Sequence, residues 1–238
     1  MFVKLLDKIF YSQFKNNWDD KLFSDEIKTK LKTDSIILDL GAGAGIIHHL
    51  SFKGAVSAVH GIDLDPRVLS NPYLDKAVIG SVNNLPYKDK TFDVVFSNNV
   101  MEHLEFPETV LNEVQRVLKP GGKFLFKTTN KFHYVPLFAK LTPVWFHKLY
   151  NKLRGRHPED TFPTLYKFNC KKDIQERSSK SNLNLKKISI FEGRPEYLRI
   201  NFVTYILGII YEKIVNSSII FEKYRVVIIG EFKNEKNH

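Results

Sequence analysis

Ile36-Ile37-Leu38-Asp39-Leu40-Gly41-Ala42-Gly43-Ala44-Gly45 is the stretch on which the fold turns. Its first five residues form an apolar run of strand length, stopped by glycine. Glycines then recur at every second position, so the backbone can turn sharply and a ligand can approach with no Cβ in the way. A helix is expected over residues 46–52, and its start would offer unpaired amides to that ligand. The spacing is an acid followed by G-x-G-x-G. The dinucleotide fingerprint G-x-G-x-x-G fails because residue 46 is Ile, and no Gly-Lys-Ser/Thr follows to make a phosphate loop. Taken alone, the stretch also fits a tight turn that binds nothing.

Working outward, residues 55–62 read as a second strand, and His60-Gly61-Ile62-Asp63 ends in an acid 18 residues after Gly45. An acid there can accept hydrogen bonds from two ribose hydroxyls, because strand carboxyl ends line the crevice of an open α/β sheet. Asp65-Pro66 is a helix start. Further strands are expected at 76–79, 92–97 and 123–127. A helix over 107–118 should stop at Lys119-Pro120-Gly121-Gly122. Residues 1–33 read as one or two helices, and 130–183 as irregular, aromatic and basic. A last strand pair, 185–191 and 224–232, flanks an apolar helix over 197–215. Strands alternating with helices imply parallel pairing.

Composition narrows the class. With 238 residues and 43% hydrophobic side chains, the chain can bury a sizeable core. A single cysteine, Cys170, excludes an intramolecular disulfide and a Cys-rich zinc site, and no metal site is expected. No motif around Cys170 marks it as a nucleophile. Asp7 and Lys8 interrupt the apolar start, so it does not read as a signal peptide. The run 202–211, broken by Thr204 and Gly208, is far short of the roughly 20 residues that span a bilayer. Charge is lopsided. Residues 1–126 hold 15 Lys+Arg against 16 Asp+Glu, and residues 127–238 hold 21 against 10. The basic half suits anionic lipid, a phosphorylated substrate or nucleic acid, or is a solvated lysine-rich surface.

Four stretches together resemble the class I S-adenosylmethionine (SAM)-dependent methyltransferases of the type 11 group, which includes ubiquinone and menaquinone methyltransferases. They are ILDLGAGAG (37–45), GIDLDP (61–66), NNLPYKDKTFDVVFSNNVMEHL (83–104) and VLNEVQRVLKPGGKFLF (110–126). The resemblance implies a Rossmann-like α/β fold with a mostly parallel seven-stranded sheet, helices on both faces and an antiparallel last strand. It implies a helical cap at 1–33, a SAM-binding core at 34–127 and acceptor-site elements at 128–238. It also implies that Asp39 and the loop Gly41, Ala42, Gly43 and Gly45 hold the methionine part of SAM. Asp63 should bind the ribose, Leu64 should pack on the adenine, and Asn98 should face the amino group. Where the family often has an Asp for the adenine, this chain has Gly80-Ser81-Val82-Asn83. Ser81, beside Val82, is a weak substitute.

The acceptor is not named by any motif. His103, His133, Tyr134 and His147 are candidate bases, and residues 157–163 read as a loop that closes over the site. The expected acceptor is a small molecule or a lipid- or glycan-linked metabolite. An RNA or protein methyltransferase and a non-catalytic SAM-binding protein are the alternatives. No nucleic-acid partner is expected, since the basic residues are dispersed and no binding module is visible. The chain reads as cytoplasmic. In the apolar helix, Leu198, Phe202, Tyr205, Ile206, Ile209 and Ile210 fall at helical spacing, and Val203, Leu207 and Tyr211 widen that face. Core packing, a homodimer interface and peripheral contact with the inner membrane face are its three candidate uses.

Overall fold

The computed structural model describes residues 2–14, 17–141 and 164–235. Seven strands form one sheet: β1 Ile36–Leu40, β2 Ala58–Asp63, β3 Lys76–Ile79, β4 Phe92–Asn98, β5 Leu118–Thr129, β6 Leu183–Phe191 and β7 Val227–Asn234. Their order is β3-β2-β1-β4-β5-β7-β6. Pairings from β3 to β5 are parallel, and β7 runs antiparallel between β5 and β6. This is the doubly wound arrangement expected from the motifs. β1 is central, with Ile37, Leu38 and Leu40 fully buried. That is why it reads as a nearly unbroken apolar run.

Among the described residues six α-helices surround the sheet: α1 Phe2–Phe10, α2 Trp18–Lys28, α3 Pro107–Val117, α4 Tyr134–Leu141, α5 Lys171–Ser178 and α6 Phe202–Asn216. One core layer joins Val110, Val114 and Ile174 from α3 and α5 to Phe92, Phe124, Phe126 and Phe232 of the sheet. On the other, Trp18, Phe23 and Ile27 of α2 join Ile37, Val59, Val94 and Phe96. A third cluster ties α1 to α6 through Leu6, Tyr11, Tyr205 and Ile209.

Three expectations are corrected. No α-helix forms over 46–52; a single 3-10 turn, His48–Leu50, stands there. The crossover from β1 to β2, residues 41–57, is filled by the glycine turn, this 3-10 turn and irregular chain. α2 covers that face of the sheet instead, and Ser24 Oγ donates to the His49 carbonyl at 2.5 Å. Secondly, β5 begins at Leu118 rather than 123. Phe92 pairs with Leu118 and Val94 with Lys123, so residues 119–122 bulge from the strand, with Gly121 at φ 82°. Thirdly, the stretch 130–183 is not wholly irregular, since it contributes α4 and α5. Cys170 caps α5, its Sγ accepting from the Asp173 amide, and burial pushes the thiol up. Its place is structural.

Candidate functional site

The carboxyl ends of β1, β2 and β4 open into a cleft of about 890 Å³. One wall is the glycine turn. Gly41, Gly43 and Gly45 take φ of 75°, 52° and 72°, the left-handed region that favours glycine. At Gly41 a Cβ would also lie 2.3 Å from Val100 Cγ2. The Gly41 and Ala42 amides donate to the Ile62 carbonyl, at 2.8 and 3.2 Å, and so tie the loop to the end of β2.

Asp63 closes the turn. Its Oδ2 accepts from the Gly43 amide at 2.8 Å and its Oδ1 from the Asp65 amide at 2.9 Å. Each carboxylate oxygen keeps a further lone pair for a ligand. Asn71 holds the loop from behind. Its Nδ2 donates to the carbonyls of Ala42 and Gly43 at 3.0 and 3.2 Å, and its side chain fills the space a Cβ on Gly45 would need. Asn71 was not singled out from the sequence; the Asn71-Pro72 turn signal was its only trace.

Gly41, Asp63, Leu64, Ser81, Val82 and Asn98 all line the cleft. Leu64 does so while 71% exposed, an apolar side chain offered at the rim. Ser81 Oγ already accepts from the Asn83 amide at 3.2 Å. Ala42, Gly43 and Gly45 shape the loop from beneath. Asp39 lies beneath it too, 8% exposed. Burial, then the charge of Asp63, push its carboxyl up to about 8.

Asn98 Nδ2 donates to Asp20 Oδ1 at 3.0 Å, whereas its Oδ1 is buried with no hydrogen-bond partner. The same Asp20 and its neighbour Asp19 receive the ammonium of Lys127, 1% exposed, at 2.5 and 2.6 Å. Burial lowers the Lys127 pKa, but the two carboxylates more than offset it. This buried ion pair fixes the start of α2 against the ends of β4 and β5.

The far wall gathers His103, His133 and Tyr134, three of the four candidate bases; His147 and the 157–163 loop lie outside the described residues. The structure adds a group the sequence reading missed. Glu192, at the turn after β6, has a side chain only 3% exposed, and its Oε2 stands 3.3 Å from His133 Nε2. The two are close enough for an ion pair but not aligned as a hydrogen bond. The Val135 amide donates to His133 Nδ1 at 3.4 Å, which leaves the ring proton on Nε2, facing the carboxylate. Burial pushes the Glu192 carboxyl up, while His133 and the amides of Gly193 and Val226 pull it back. Glu102 is also buried, its carboxyl pushed up by burial and held by Thr128 Oγ1 at 2.7 Å.

Comparison with known proteins agrees with this fold. Residues 38–126 match the family model described as a methyltransferase domain. The chain is 30% identical over 181 residues to a ubiquinone biosynthesis O-methyltransferase of Nitrosococcus oceani, covering 71% of this chain and 75% of that one. It is 37% identical over 100 residues to a malonyl-[acyl-carrier protein] O-methyltransferase of Halorhodospira halophila, covering 39% of this chain and 34% of that one. It spans about a third to a half of the length of several curated relatives. A solved structure of a putative methyltransferase from Bacillus halodurans shares the fold, with a TM-score of 0.56 at 17% identity, covering 90% of this chain and 99% of that one. The motifs, the sheet order and the extended match to the Nitrosococcus enzyme place the chain in one family: it belongs to the class I SAM-dependent methyltransferases of the type 11 group.

Proposed function

We propose that this chain transfers a methyl group from SAM to a protonated oxygen or nitrogen of a small-molecule or lipid- or glycan-linked acceptor, with Glu192 as the base. The observation that carries the reading is the buried carboxylate of Glu192 in the lining of the same cleft as Gly41 and Asp63. SAM is the cofactor of this family, and the near wall fits it. Asp63 retains lone pairs for ribose hydroxyls, Leu64 offers an apolar rim for adenine, and the orphaned Asn98 Oδ1 is an acceptor suited to an ammonium donor.

When bound, SAM supplies an electrophilic methyl on a sulfonium that departs as a neutral thioether. What remains for the chain is to align the acceptor, keep water out and take a proton. The Glu192 carboxylate, which lines the cleft, takes that proton. His133, whose Nε2–H faces its Oε2, positions the carboxylate, so His133 acts through Glu192 rather than as the base itself. The relatives' O-methyltransferase names support an oxygen acceptor. Binding of SAM and S-adenosylhomocysteine by calorimetry, followed by SAM consumption against quinone, sugar and lipid acceptor pools, tests the reading. Absence of SAM binding at millimolar concentration refutes it. Turnover on purified RNA alone would reassign the acceptor.

A further inference from the structure

α6 carries two apolar faces. Tyr205, Ile209 and Val215 point inward. On the opposite side Val203, Leu207, Ile210 and Ile214 recur at spacings of three and four, and they are 66%, 58%, 50% and 51% exposed. A surface helix ordinarily turns charge outward there. The exposed stripe continues onto α1, where Phe2, Leu5 and Ile9 share one face and the Phe2 ring meets that of Phe202 at 5.7 Å. Ile219 and Ile220, on the turn after α6, are more exposed than any residue of the stripe. A contiguous apolar surface of this kind marks a contact with something apolar.

Charge around it is sorted by sign. The acids of these elements are spent inward. Asp7 takes the guanidinium of Arg199 and the hydroxyl of Tyr205, both at 2.5 Å. Glu212 accepts from Tyr11 Oη at 3.0 Å, and Glu222 pairs with Lys171 at 2.5 Å. Lys4, Lys8 and Lys223 are left exposed beside the stripe, as is Lys213, whose ammonium lies 3.4 Å from Glu212. We propose that the outer face of α1, α6 and the turn at 219–221 docks on an anionic bilayer surface. Apolar side chains rimmed by lysine suit a headgroup layer of negative charge. They suit a second copy poorly, since a two-fold contact of this face brings lysines against lysines. Among the described residues no helix is long and apolar enough to cross a membrane, so the contact is interfacial. α6 also reaches the cleft wall, Tyr211 packing on Tyr134 with ring centroids 4.8 Å apart.

The docking needs neither SAM nor an acceptor, so it is tested apart from methyl transfer. The probe is co-sedimentation with phosphatidylcholine vesicles, with and without about 30% phosphatidylglycerol, near ~0.15 M salt. Wild type should pellet with the anionic vesicles and bind the neutral ones about tenfold more weakly or worse. Leu207→Glu/Ile210→Glu should stay in the supernatant with an unchanged unfolding temperature. Lys4→Glu/Lys8→Glu touches no apolar contact and should lose about tenfold on anionic vesicles, which keeps the test valid if the first variant unfolds. Wild type remaining in the supernatant with anionic vesicles overturns the proposal, as does binding that neither variant weakens. So does light scattering that shows a dimer split by Leu207→Glu/Ile210→Glu while vesicles are ignored.

Discussion

On the near wall of the cleft, the groups proposed to recognise the cofactor are held by local backbone. The Gly43 amide meets Asp63 at 2.8 Å, and every recognising group sits within a turn of a strand end. The far wall is built from buried side chains brought together from distant segments: Glu102 after β4, His133 before α4 and Glu192 after β6. Backbone donors are fixed by the fold and tolerate drift in side-chain identity around them. Buried carboxyls depend on each neighbour for their charge state. The near wall is therefore suited to a constant ligand and the far wall to one that differs between relatives.

Two substitutions separate the walls. Glu192→Gln keeps the shape and removes the base, so kcat should fall by about 10²- to 10⁴-fold while SAM affinity stays within about twofold. With wild type, kcat should rise with pH through the raised Glu192 pKa, because only the ionised carboxyl takes the proton. Single-turnover rates across pH check both statements, and an unchanged kcat in the variant would return the base to His103 or Tyr134. Asp63→Ala should do the reverse. It removes the anchor of Gly43 and the ribose acceptor together, weakening SAM by about 2–4 kcal/mol, read by calorimetry.

The near wall was legible because its signals are local. Asp39 to Gly45 and Gly61 to Asp63 carry their spacing in the chain itself, and the mostly parallel sheet was expected from the same motifs. What escaped was set by pairing across long separations. Glu192 follows an unremarkable strand and acquires its role only when β6 and β7 bring it under His133. The missing helix at 46–52 escaped because α2, from before β1, covers that face of the sheet, a packing that local periodicity does not report. Asn71 lies between these cases, near in sequence but speaking only through carbonyls. Asn71→Ala should lower SAM affinity and global stability by about 1–2 kcal/mol each, since two half-buried carbonyls lose their donor. Denaturant titration and calorimetry on one preparation check the pair, and a loss of stability without loss of affinity would make Asn71 a folding residue alone.

Asp39 is where the near wall does depend on a buried side chain. Its carboxyl is pushed up to about 8, first by burial and then by Asp63, from an ordinary 3.8. The free protein therefore holds this proton at neutral pH whereas the unfolded chain has lost it. Stability of the free protein should accordingly fall as pH rises from about 4 toward 8, because the native state binds the extra proton. A bound cation near the loop favours the charged carboxylate and pulls the pKa down. Binding of SAM or S-adenosylhomocysteine, both of which carry an ammonium group, should then release a fraction of a proton below pH 8, and affinity should rise with pH by at most about tenfold per unit before levelling off. Calorimetry in two buffers of different ionisation enthalpy reads that proton directly. Asp39→Asn should abolish the buffer dependence while leaving the Gly43–Asp63 bond in place. Equal heats in both buffers for wild type would mean that Asp39 stays neutral with the ligand bound, and that the charge on this wall is carried by Asp63 alone.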